Sequence, residues 1–132
     1  MTHPDPLGVL VVEADPGVAD LVSAELAAAG HRVLSCHEPD AAAFPCAGLT
    51  EGGSCPLAGG SVDVVLDMRA LPRSKPAVTE IGITCSLREG LPLVVAGTPA
   101  LNPFERHATA TVHSDDPRDI VDACEEAARR RT

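Results

Sequence analysis

The chain has 132 residues, a formal net charge of -9 with a pI near 4.8, and 45% apolar residues that include two Phe and neither Trp nor Tyr. A single domain of this size buries roughly two-thirds of its unfolded surface, and an aliphatic core of Ala, Val and Leu suits a parallel sheet covered by Ala-rich helices. The acidic balance argues against nucleic-acid binding, and the absence of both an apolar run near the about 20 residues of a membrane span and a basic, apolar leader points to a cytoplasmic chain without a membrane partner.

Val9 to Val12 is apolar and β-branched and ends in Glu13, Ala14 and Asp15, which predicts a first, buried parallel strand. Pro16 with Asp15 as cap predicts the opening of a helix. Val18, Leu21, Val22, Leu26 and Ala29 form its buried stripe, and Gly30 closes it. Val33 to Cys36 reads as a second strand and Val62 to Leu66 as a third, ending in Asp67 and Met68. Between these strands a short helix is expected around Asp40 to Phe44, followed by a Gly- and Pro-rich loop at about 45–60 that carries Cys46 and Cys55.

Thr79 to Glu89 is expected to be helical, and Leu91 to Ala96 to be a fourth strand ending at Gly97, Thr98 and Pro99. Asn102 and Pro103 look like the cap and first residue of a short helix through His107. Thr109 to Val112 is then a fifth strand. Asp116 and Pro117 repeat the cap signal before a last helix with an apolar stripe of Ile120, Val121, Cys124, Ala127 and Ala128 and an Arg-rich end that complements the helix dipole. Strands alternating with helices give an α/β domain over 1–132 with helices on both faces of a five-stranded parallel sheet.

Acids ending strands one and three, a small hydroxyl residue after strand four, and the final DPRDIVDACEEA helix together resemble the response-regulator receiver family over nearly the whole chain. The resemblance implies flavodoxin-like topology, strand order 2-1-3-4-5, with the site beyond the carboxyl ends of the strands. In the family an acidic pair after strand one and an Asp after strand three hold Mg²⁺ and accept phosphate. By resemblance VVEADP supplies Glu13 and Ala14 at the pair, with Asp15 following, and Asp67 is the phosphoacceptor candidate. Aligning Asp63 with the family's strand-initial Asp instead places Met68 at the acceptor position.

LPLVVAGTP puts Gly97 at the family's hydroxyl switch position and Thr98 one residue later, and ATATVHSDDP carries His113 or Ser114 where the family has Lys. One metal-binding carboxylate, the switch hydroxyl and the lysine all mismatch. Weak Mg²⁺ binding through Glu13, Asp15 and Asp67, and impaired or absent phosphorylation, are therefore expected.

Five Cys in a cytosolic chain do not suggest a disulfide framework. Cys36, Cys46, Cys55 and Cys85 fall on elements that pack on one face of a receiver topology, so a zinc or iron–sulfur site, or a redox pair of Cys46 and Cys55, is the rival to core thiols. No catalytic motif such as GxSxG, GxxxxGKT or HExxH is present, so no enzyme activity is expected. Two functions compete: a stand-alone atypical receiver, or a thiol-based redox or metal module on the same scaffold. The first implies a protein partner, a sensor kinase or an effector, with a homodimer also compatible. By resemblance its interaction face maps to Asn102 through Arg130.

Overall fold

Strand β1 (Gly8–Glu13) is buried at every position but its last, as a strand paired on both edges and covered on both faces must be. The computed structural model describes residues 6–13, 17–35, 62–69, 83, 87–97, 104–114 and 116–131. Around β1 the parallel sheet is completed by β2 (Arg32–Leu34), β3 (Val64–Met68), β4 (Leu93–Ala96) and β5 (Ala110–Val112), in the order β2-β1-β3-β4-β5. This is the five-stranded parallel arrangement the sequence predicts. The other elements whose bounds are described are the helices α1 (Asp20–Ala28) and α2 (Pro117–Arg131) and a 3-10 turn at Glu105–His107.

Alternation along the strands splits the core into two layers. Val9, Val11, Val64, Leu66, Met68, Val94 and Ala96 pack against Val22 and Leu26 of α1 and Ile120, Cys124 and Ala127 of α2. Leu10, Val12, Val65, Leu93 and Val95 face the other way, with Ile83 and Phe104.

The register between β1 and β3 is locked at its start. Asp63 Oδ2 accepts a hydrogen bond from Gly8 N at 2.8 Å, and Asp63 N donates to Gly8 O at 2.7 Å. Val9 then pairs with Val64 and the ladder runs in step to Glu13 opposite Met68. The third strand thus begins two residues later than the sequence suggests and includes Asp67 and Met68, because β1 on one side and β4 on the other offer backbone partners up to that point.

Helix α1 also differs from its prediction. It starts at Asp20, not at Pro16, after a turn in which Gly17 takes φ +86, a conformation that glycine adopts without strain. Its opening amide is met from outside the helix: Glu13 Oε2 accepts from Ala19 N at 2.9 Å. The buried face is Ala19, Val22 and Leu26, whereas Leu21 is 74% exposed and Ala29 is exposed. Gly30, at φ +94, ends the helix as expected and donates to Ala27 O.

Helix α2 follows its prediction closely, with Ile120, Val121, Cys124, Ala127 and Ala128 all buried. Asp116 Oδ1 accepts from Arg118 N at 3.0 Å and Ser114 Oγ accepts from Asp116 N at 3.0 Å, so the capping signal is real. Ile83, Leu87 and Arg88 are helical as expected. The loop at 45–60, the helix around Asp40 to Phe44 and the Asn102–Pro103 cap lie outside the described residues.

Truncation at the two leucines of α1 should separate their roles. Leu26→Ala should cost about 2–5 kcal/mol in denaturant unfolding because it leaves a cavity in the core, whereas Leu21→Ala should stay within about 0.5 kcal/mol of the parent.

Candidate functional site at the carboxyl edge of the sheet

In an open parallel sheet the chemistry sits beyond the carboxyl ends of the strands. Here the last paired row across that edge is Glu13, Met68, Ala96 and Val112. One step further out, Arg69 N donates to Ala96 O at 3.4 Å and Gly97 N donates to Val112 O at 3.1 Å. The edge is therefore built from an acid, a thioether and two small aliphatic side chains, followed by Arg69 and Gly97.

Glu13 and Asp67, two of the three acids expected to form the pocket, are not brought together. Glu13 falls on the α1 side of the sheet, in step with Val9 and Val11, and its carboxylate serves the first turn of α1. Asp67 pairs with Val12 and Val95, in step with Val65, so it projects from the opposite face, and it is 0% exposed. The residue beside Glu13 on the same face is Met68, 3% exposed. Asp15 lies outside the described residues.

Divalent magnesium needs several hard oxygen ligands around one point. Of the three acids expected to supply them, Glu13 accepts from a helix amide, Asp67 lies on the other face of the sheet, and Asp15 lies outside the described residues. Among the described residues no group of three or more His, Cys, Asp or Glu could hold a metal ion.

Gly97, at the position of the expected switch hydroxyl, has φ +136, and a Cβ built there would lie 2.4 Å from the carbonyl oxygen of Arg69. No side chain fits without moving one of the two strands' continuations. Arg69 itself is 2% exposed and, like Asp67, engages in polar interactions, as a buried charge must. The sequence reading passed over Arg69, since an Arg after a strand ordinarily reads as a solvated end. Thr98 is outside the described residues. His113, one of the two residues expected at the lysine position with Ser114, is exposed, with Nε2 3.8 Å from Glu105 Oε1.

Of the five cysteines, Cys36, Cys46, Cys55 and Cys85 fall outside the described residues. The fifth, Cys124, is a buried free thiol. Burial first, and the neighbouring Glu125 second, push its pKa up from 9.0 to about 12, which leaves it an unreactive core group.

A second polar cluster, which the sequence reading also passed over, occupies the opposite, amino end of the sheet. His31 is buried just before β2. Its Nδ1 accepts from Leu7 N at 3.0 Å, so the ring proton sits on Nε2 and is donated to Glu125 Oε2 at 2.8 Å. One imidazole thereby ties the entry of β1, the start of β2 and the middle of α2. The only sequence signal was a His directly after the helix-closing Gly30.

No family model and no curated protein matches the sequence. Solved structures do. The chemotaxis protein CheY4 of Vibrio cholerae is similar with a TM-score of 0.56 and 16% identity, over 92% of this chain and 98% of that one. The N-terminal domain of a response regulator/sensory box/GGDEF 3-domain protein from Carboxydothermus hydrogenoformans is similar with a TM-score of 0.55 and 23% identity, over 94% of this chain and 95% of that one. The chain therefore has the CheY-like receiver fold.

Two outcomes follow from this geometry. Gly97→Ala should cost more than about 1 kcal/mol in denaturant unfolding, since the added Cβ meets backbone at positive φ. Because the folded Cys124 thiol holds its proton to about pH 12 while the unfolded thiol releases it above about pH 8.5, the stability it contributes is complete at neutral pH. That contribution should fall as pH rises through this window. Unfolding of the parent and of Cys124→Ala across alkaline pH should show a steeper decline in the parent.

Proposed function

We propose that this chain is a receiver-fold signalling module that works by protein interaction, with aspartyl phosphorylation impaired or absent. The observation that supports the reading is the pairing of Glu13 with Met68, an apolar thioether that the resemblance, aligned on Asp63, puts at the acceptor position. A methionine can neither take a phosphoryl group nor ligate magnesium. Asp67, the neighbouring residue in β3, is fully buried on the opposite face of the sheet, away from the Glu13 carboxylate.

Phosphoryl transfer relies on positioning and charge neutralisation, so the groups that contact the phosphoryl oxygens matter as much as the acceptor. Gly97 leaves no room for a side chain, and by resemblance His113 or Ser114, neither of them an ammonium, stands where a receiver has its lysine. Output then depends on a cytoplasmic protein partner, a sensor kinase or an effector, and the chain itself performs no catalysis.

Mass spectrometry after incubation with acetyl phosphate and Mg²⁺ tests the proposal directly. No adduct of about 80 Da is expected on the parent chain. A stoichiometric adduct that is lost in Asp67→Ala would overturn it.

A further inference from the structure

Helices α1 and α2 pack side by side over the sheet, and between their outward flanks lies an open trough of about 250 Å³. Glu25, Ala28 and Ala29 line it from α1, and Arg118, Asp122 and Glu125 from α2, with Val121 beneath. On each helix these residues recur at spacings of three and four, so they form a second stripe turned away from the core stripe. The α1 stripe continues one turn back to Leu21, the most exposed large apolar residue among those described, at 74%.

Ala28 and Ala29 are too short to cover the space between the helices, which is why the trough stays open. Three carboxylates face one guanidinium there, on a chain whose net charge is -9. Glu125 is already engaged by His31. Glu25 and Asp122 form no ion pair among the described residues, and Arg118 uses only its backbone amide, toward Asp116. The surface therefore combines an exposed leucine with two acids that form no ion pair among the described residues, within two helical turns.

We propose that this trough is a docking surface for a partner protein segment that presents a basic side chain one helical turn from an apolar one. The basic group sits between Glu25 and Asp122, and the apolar group covers Leu21. Charge complementarity selects such a segment over an acidic one, and burial of the leucine supplies the non-polar contact. The proposal rests on the reading of the chain as an interaction module. It is independent of whether Asp67 accepts phosphate.

The probe is a synthetic amphipathic helix of Leu and Lys, with a Leu and Glu peptide of the same pattern as control. Each is titrated into the full chain by fluorescence anisotropy and followed by backbone amide shifts. The Lys peptide should bind, with shifts clustered on residues 21–29 and 118–125, and the Glu peptide should not. Leu21→Ser, and separately Glu25→Lys with Asp122→Lys, should each weaken binding by about tenfold or more, with circular dichroism verifying that both variants remain folded. Failure of the Lys peptide to bind, or undiminished affinity in the charge-reversed variant, overturns the proposal. Shifts confined to β5 and the Glu105–His107 turn would remove the trough while leaving the interaction-module reading in place.

Discussion

The two-way clamp between Asp63 and Gly8 is the constraint on which the rest of the sheet edge depends. A parallel ladder has a side-chain period of two, so a slip of one residue would exchange the two faces of β3 throughout. By binding Gly8 N through its carboxylate and Gly8 O through its amide, Asp63 removes that freedom at the first pair. Val64 and Leu66 are then committed to the α1 and α2 side, Val65 to the other, and Met68 arrives beside Glu13. The fate of the site at one end of the strand is decided by a hydrogen bond at the other.

The same register explains why Asp67 is buried rather than presented. It lies inside β3, flanked by Val12 and Val95 and 0% exposed, and its Oδ1 makes no hydrogen bond among the described residues. On the next strand, Gly97 and the Arg69 carbonyl approach too closely for any side chain. Among the described residues, compactness at this point of the edge comes from backbone packing of Gly97 against Arg69.

Much of the architecture was legible because it depends on local pattern. The apolar runs of β1 and β4, the Asp116–Pro117 cap and the α2 stripe all read correctly, since burial on both faces or along one stripe leaves a direct imprint on residue type. Helix α1 was less legible. Leu21 fits the helical period as well as Leu26 does, but the stripe turned toward the sheet is set by where α2 packs, and that leaves Leu21 outside. The cap was misassigned for a related reason: the amide of Ala19 is met by Glu13, a residue on the preceding strand, which no local signature marks. Arg69 and His31 escaped notice because their burial depends on neighbours far along the chain, Ala96 and Gly97 for the first and Leu7 and Glu125 for the second.

By itself the sequence determined the parallel α/β class and, through its receiver resemblance, the strand order, because strand hydrophobicity, capping residues and residue identity are properties of the chain alone. Only the tertiary structure decided which of Asp67 and Met68 stands beside Glu13, whether position 97 has room for a hydroxyl, and which leucine of α1 faces solvent. Each of these depends on register or on the approach of one backbone to another, and those are set by pairings between residues distant in the chain.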